Sequence, residues 1–529
     1  MKNAMLLFLS DVKLQSGRLS EQEYDTDSLG IIKAGHTNEA SLLYMDRKLA
    51  QNGESLDYVF VFVSNLVGGR GESAGNKISY IEPGADTAAE YTHQAVFEKL
   101  ILHKCPQLAN KLIYCDFDED KDNVQAIQYV LKMVGLISDR LSGSPDEWKI
   151  HVDLAGGLRH AAVLMLSVLH MLRYTGLQIG DAVYANFSKK PRKCIEDVSI
   201  VHEMFEMVSG TDSVLNSANL RDIQAYFDLH VPAEQQSSEL RSLLTALESF
   251  SNAVKLCHTG KFEGAARDLA SAMSSFRQLE HKSVHEELFA QVLHSLERDY
   301  ADIVREDASR QDIIRWCLEK DFLQQAMTLF NEWMPEILIE KKAYYPSLEC
   351  GEQIVEFCKL KNDKKFVTWQ DYFVKEFSPK SYKALMKEMY TLESNKAGKK
   401  ISKDELEQLL SKLPSHLQPI DRNKKLPSVQ MERFESLWHR SSAKSLDNAV
   451  VQRMNACRNM LSKRLAVTDF DDEDVRDLLG IIIWVRIQRN KINHAMYDGE
   501  VDIELLRHVL YHGLNMLRAM DKMKQGKCS

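Results

Sequence analysis

Several features are missing from this chain of 529 residues, and each absence removes a class of protein. Its nine cysteines stand at 105, 115, 194, 257, 317, 350, 358, 457 and 528, and no CxxC occurs among them. That spacing excludes a zinc finger and a disulfide ladder, and scattered thiols suit a reducing cytoplasm. Long hydrophobic runs are absent too. The apolar start Ala4–Leu9 stops at Ser10 and Asp11, too short for a signal peptide and far below the ~20 residues of a membrane span. A soluble, cytoplasmic protein without membrane partners is expected. Positive charge is not in excess, since 67 Lys and Arg face 76 Asp and Glu for a net charge of −9. A protein that coats nucleic acid non-specifically needs the opposite balance. A small basic cleft is still compatible with it. No glycine-rich loop ending in GK[ST] occurs, and no GxGxxG, which argues against an NTPase and a dehydrogenase.

What is present is ordinary globular composition, 44% hydrophobic and 27% charged, in a chain long enough for two to four domains. Sixteen of the 24 glycines fall in residues 1–210, so strands and tight loops are concentrated there. Met5–Leu9, Tyr58–Val63, Leu112–Cys115, Lys149–Leu154 and Ala182–Phe187 read as strands. Ala88–Leu102, Asn123–Leu141 and Leu158–Tyr174 between them carry apolar residues at helical spacing. Strands that are nearly all apolar are buried on both faces, which predicts a Rossmann-like α/β domain with a parallel sheet over 1–210. From about 215 the periodicity is helical, with segments including Ser238–Cys257, Gln311–Glu332, Asn448–Leu461, Val475–Tyr497 and Ile503–Met523. This predicts a helical region over 211–310 and a helical domain over 311–529.

HVDLAGGLRH (151–160) falls where a buried strand gives way to a helix. Ligands of open α/β sheets bind at such strand ends. Gly156 and Gly157 permit close backbone approach, the first helical turn offers N–H groups to an anion, and Arg159 and His160 add donors. Ser10 and Asp11 after the first strand, and Gly68-Gly69-Arg70-Gly71, are expected at the same edge. A tight turn with a surface arginine is the plainer account of the motif taken alone.

RNKINH (489–494) lies late in a long helical segment. From Leu478 to Tyr497 there is no Asp or Glu, while Arg486, Arg489 and Lys491 make a local basic island. RNA cleavage without metal requires a proton acceptor for the 2′-OH, a proton donor for the leaving 5′-oxygen and a cation for the phosphorane. Histidine suits the proton work, and arginine suits the charge. On an ideal helix Asn490 and His494 share a face, but Arg489 lies about 140° from His494. Either the helix bends or a second copy completes the site. A solvated cationic helix face is the plainer account here as well. Nearby residues lack the clustering of a metal site.

In this order the two constellations resemble the CARF–HEPN ribonucleases of type III CRISPR systems. The resemblance rests on VDLAGGLRHAAVLMLSVLHMLRYTG, on WCLEKDFLQQAMTLFNEWMP (316–335) and on RNKINH. It implies a CARF sensor over 1–210, a HEPN ribonuclease domain over 311–529, and a homodimer. The activator would be cyclic tetra- or hexa-adenylate, the substrate single-stranded RNA rather than DNA, and the chemistry antiviral and metal-independent. Arg489 and His494 would be catalytic with Asn490 supporting them. Gly156, Gly157, Arg159 and His160 would take the activator with Ser10 and Asp11. Relatives commonly carry Thr where this chain has Ala155, which puts in doubt whether the sensor degrades its own activator. The rival readings are a CARF–HEPN module that only binds RNA or a partner, and a HEPN toxin held by a protein antitoxin.

Overall fold

The computed structural model describes residues 1–118, 123–141, 147–157, 161–189, 191–305, 307–361, 369–396, 401–411, 447–493 and 501–525. Its contacts divide the chain into two compact units, Met1–Glu206 and Met207–Ser529.

The first unit is built on one eight-stranded sheet. Its strands are β1 (Lys2–Phe8), β2 (Gln22–Asp25), β3 (Ile32–Ala34), β4 (Leu56–Ser64), β7 (Leu112–Phe117), β8 (Trp148–Asp153), β9 (Gln178–Asn186) and β10 (Lys193–Asp197). A separate hairpin pairs β5 (Ile78–Tyr80) with β6 (Ala89–Tyr91). The order is β3-β2-β10-β9-β8-β1-β4-β7. The five strands from β9 to β7 run parallel. β10 is antiparallel to β9, and β3 to β2, so the sheet ends in a mixed edge.

Helices cover both faces, as parallel strands demand. They are α1 (Thr37–Gln51), the single turn α2 (Asn65–Gly68), α3 (His93–Lys104), α4 (Asn123–Arg140) and α5 (Ala161–Arg173), followed by α6 (Ile200–Ser217), within which the two units divide. The pleat of β1 sorts its side chains. Met5, Leu7 and Leu9 join a core with Leu42 of α1 and Phe97 of α3, while Ala4, Leu6 and Phe8 join another with Met133 of α4 and Val168 of α5. The register sets Leu7 beside Asp153 and Phe8 beside Phe62, so the loops after β1, β4 and β8 emerge along one edge.

The second unit is mainly helical. It continues with α7 (Arg221–His230), α8 (Ser238–Lys255), α9 (Thr259–Arg277), α10 (Val284–Val304), α11 (Arg310–Glu319) and α12 (Leu323–Glu340). Then come α13 (Leu348–Lys361), α14 (Trp369–Lys375), α15 (Pro379–Lys396), α16 (Lys403–Ser411), α17 (Asn448–Ser462), α18 (Asp472–Asn493) and α19 (Ile503–Gln525). Two short strands, β11 (Tyr345–Pro346) and β12 (Ala466–Val467), pair antiparallel. One apolar core runs through helices from both 211–310 and 311–529, taking in Phe250, Phe262, Trp316, Phe330, Ile481 and Leu510. α18 is central because nearly every side chain from Val475 to Val485 is buried, the mark of a helix surrounded by others. The segment expected as one helix over Gln311–Glu332 is two, broken at Lys320–Phe322 where Asp321 takes a φ of +60°. Among the described residues no helix is long and apolar enough to cross a membrane.

Candidate functional site

In the first unit the chain leaves β1 at Phe8 and meets the N-terminus of α1. Ser10 N–H donates to Asn38 Oδ1 at 3.0 Å, and Asn38 Nδ2 donates to Phe8 O at 3.1 Å and to Asp153 Oδ2 at 2.7 Å. Ser41 Oγ and the Ala155 N–H both donate to Asp153 Oδ1, at 3.0 and 2.8 Å. The half-buried Ser10 hydroxyl lies 3.0 Å from His36 Nε2 and 3.1 Å from Asn38 Oδ1. Its single proton serves one of these at a time. Asn38, Ser41, Asp153 and His36 are buried, and burial pushes the His36 imidazole down to about 4 and the Asp153 carboxyl up to about 6. At neutral pH His36 is therefore uncharged, while Asp153 is held as a carboxylate by the three donors around it. His93, close enough for its charge to act on His36, accepts from the Val12 N–H at 2.9 Å, and burial lowers it as well.

The structure therefore brings Ser10, Gly156 and Gly157 together at the strand ends, with Asp11 exposed beside them. The glycines have a packing role at this turn. A Cβ on Gly156 would overlap the Phe8 carbonyl and the Asn38 amide, and Gly157, at φ +84°, would set one 2.8 Å from the Phe8 ring. What approaches closely here is β1 and α1, so the glycines seat the loop before any ligand arrives. Arg70, in the loop after β4, is engaged by Asp116 and by Gln94 Oε1. Arg159 and His160 lie outside the described residues.

In the second unit α18 opens with Asp472, Glu473 and Asp474 and carries Arg486, Arg489 and Lys491 near its end. That polarity is the one the helix dipole favours, so part of the basic island has a purely local cause. Arg486 Nη2 pairs with Glu376 Oε1 at 3.2 Å. Arg489 Nη2 lies 3.4 Å from Glu332 Oε1 on α12, and Asn331 Nδ2 donates to that same oxygen at 3.0 Å. Arg489 Nε and Asn331 Oδ1 are buried with no hydrogen-bond partner among the described residues. Two such atoms around one carboxylate are costly to leave unmet. The Cys257 thiol, raised by burial, is close enough to feel both Arg489 and Glu332. Asn490 is exposed, and His494 lies outside the described residues. Among the described residues no group of His, Cys, Asp and Glu could hold a metal ion.

Sequence reasoning missed His36, Asn38 and Ser41 at the first site and Glu332, Asn331 and Cys257 at the second. The second set carried one signal, since Asn331 and Glu332 belong to the 316–335 stretch that entered the resemblance without a role.

No family model matches the chain, and no curated protein does. Among solved structures, Csm6 of Enterococcus italicus bound to cyclic hexa-2′-fluoro-hexa-dAMP aligns over 98% of this chain and 94% of its own, with 10% identity and a TM-score of 0.33.

Proposed function

We propose that the chain is a single-stranded RNA endoribonuclease switched on by a cyclic oligoadenylate, of the CARF–HEPN kind that acts in type III CRISPR defence. The observation that carries this reading is Arg489. It is a half-buried guanidinium whose Nε has no hydrogen-bond partner among the described residues, next to an exposed Asn490, on the helix that carries the start of the RNKINH motif. An arginine with part of its side chain exposed, in a local run without acidic residues, is suited to hold a phosphate. In this reading His494 moves the proton at the reacting ribose or leaving oxygen, Arg489 stabilises the phosphorane, and no metal is needed. The 2′-oxygen attacks phosphorus and the bond to the 5′-oxygen breaks, leaving a 2′,3′-cyclic phosphate or the 3′-phosphate derived from it.

The activator is cyclic tetra- or hexa-adenylate, held over Ser10, Asp11, Gly156 and Gly157 with Arg159 and His160 reaching its phosphates. The polar floor supports this assignment, because the buried Asp153–Asn38–Ser10 chain fixes the Ser10 hydroxyl and the loop backbone in advance. Such preorganisation lowers the cost of binding. A homodimer joins two Arg489–His494 sets. It is supported by apolar side chains left in water at Val163 of α5, 64% exposed, at Tyr174 in the turn after it, 81% exposed, and along Ile200, Met204 and Val208 of α6.

The test is cleavage of a quenched fluorescent RNA in EDTA, without activator, with cyclic tetra-adenylate and with cyclic hexa-adenylate. A rate jump with one ring is expected, and His494→Ala should lower the activated rate by about 10²–10⁴-fold while activator binding persists. Silence of the folded wild-type protein with both rings would sink the reading. An unchanged rate in His494→Ala would remove that residue from the mechanism.

A further inference from the structure

The first turns of α15 carry Lys380, Lys383 and Lys387, spaced i, i+3 and i+7, which puts them within about 60° of one another on the helix. A groove of about 620 Å³ runs along one side of this ridge, lined by the three lysines and by Lys403 of α16. A second groove, of about 630 Å³, reaches α17 and shares Lys380 and Lys383 with the first. On its far wall α17 presents Gln452, Asn455, Asn459 and, just past its end, Lys463, again on one face. α17 contains no Asp or Glu, and Glu407 is the carboxylate lining the first groove.

All five lysines are exposed, and none has an ion-pair partner among the described residues. Their neighbours behave otherwise. Lys375, just upstream, is buried against Asp371, and Arg486 is tied to Glu376. Uncompensated cations that share two grooves with amide side chains, in a protein of net charge −9, make a surface for a polyanion. The spacing suits a flexible strand better than a compact anion, because the charges follow a line.

The ridge also leads somewhere. Glu376, which holds Arg486 at 3.2 Å, lies four residues before Lys380, a distance the chain spans in no more than about 14 Å. Arg486 and Arg489 are less than one helical turn apart on α18. One end of the grooves therefore approaches the helix end that bears the candidate reacting arginine.

We propose that the α15 lysine ridge with its two grooves is a docking track for the phosphates of single-stranded RNA, feeding the strand to the end of α18. The destination of the track rests on the ribonuclease reading, whereas its ligand class rests on the lysines themselves.

The test uses full-length His494→Ala protein and a labelled single-stranded oligouridylate, with affinity measured across a potassium chloride series. The triple variant Lys380→Gln, Lys383→Gln, Lys387→Gln should bind at least about ten-fold more weakly at low salt. Its slope of log affinity on log salt should be shallower by about 2, at about 0.7 for each phosphate that is no longer neutralised. The matching Lys→Arg triple keeps the charge and should keep both values, which separates charge from folding damage. Equal affinity and slope in the glutamine triple would overturn the track. So would lysine-dependent binding of polyglutamate with RNA unaffected, which would assign the surface to an acidic protein. Cleavage by the wild-type chain is scored separately. Absence of activated cleavage with lysine-dependent RNA binding intact supports the track and sinks the nuclease reading. Activated cleavage with lysine-independent binding does the reverse.

Discussion

A guanidinium can grip a phosphate only with the edges its other partners leave free, and at Arg489 one edge is occupied. Glu332 lies 3.4 Å from Nη2 and is itself held by Asn331. The carboxylate fixes the arginine in place, yet it also offsets the charge that an incoming phosphate would feel. With both side chains partly exposed the pair is worth only about 1 kcal/mol or less. Glu332→Gln keeps an oxygen for Asn331 and removes the negative charge, so RNA should bind a few-fold more tightly, read as a lower KM in activated cleavage. An unchanged or raised KM would show that Glu332 does not oppose the phosphate. Residue by residue, Arg489 was legible in the sequence because a basic island in an acidic chain is a local pattern. Glu332 was not, since its link to Arg489 is made between two helices far apart in the chain and no periodicity records it.

At the scale of elements, α1 shows how a helix can be read correctly while its working face is misjudged. Its first turns bury Asn38, Glu39 and Ser41, polar residues that a search for apolar stripes passes over. Glu39 reaches back to accept from the Gly35 and His36 N–H groups at 2.8 and 3.2 Å and is paired with Lys104 Nζ at 2.8 Å, which holds His36 under Ser10. The consequence is a pH dependence with a definite sign. His36 is lowered from 6.5 to about 4, so its contribution to stability is present above pH 6.5 and is lost as pH falls through about 4. Asp153 is raised from 3.8 to about 6, so its contribution is present below about 3.8 and is lost as pH rises through about 6. Comparing thermal unfolding of the wild type and His36→Gln from pH 7 to pH 4.5 cancels Asp153, which is present in both. The wild type should lose stability relative to the variant as pH falls, approaching about 3 kcal/mol at the acid end. Parallel curves would mean that His36 titrates as it does in water. The parallel strands were legible because burial on both faces makes them apolar throughout. β2 (QEYD), β3 (IKA) and β10 (KCIED) were not, since charged residues at the mixed edge hide their alternation.

For the whole molecule, the distribution of charge and apolar surface separates tasks. A net charge of −9 disfavours indiscriminate binding of a polyanion, while the α15 lysines, which have no ion-pair partner among the described residues, gather positive charge in one unit. Apolar side chains stay in water on α5 and α6, where a second copy would bury them. If two Arg489–His494 sets must meet, the active species is the dimer, and its share of the chain depends on concentration. Activated cleavage measured with saturating cyclic adenylate should then lose rate per protomer on dilution, approaching direct proportion to concentration once monomers predominate. Tyr174→Glu, which sets a charge on the exposed turn after α5, should move that loss to higher concentration without changing the rate at the plateau. A rate per protomer that stays constant on dilution to the point where sedimentation shows only monomer would mean that one chain cuts alone. The RNKINH segment of a single chain would then have to bring Arg489 and His494 together.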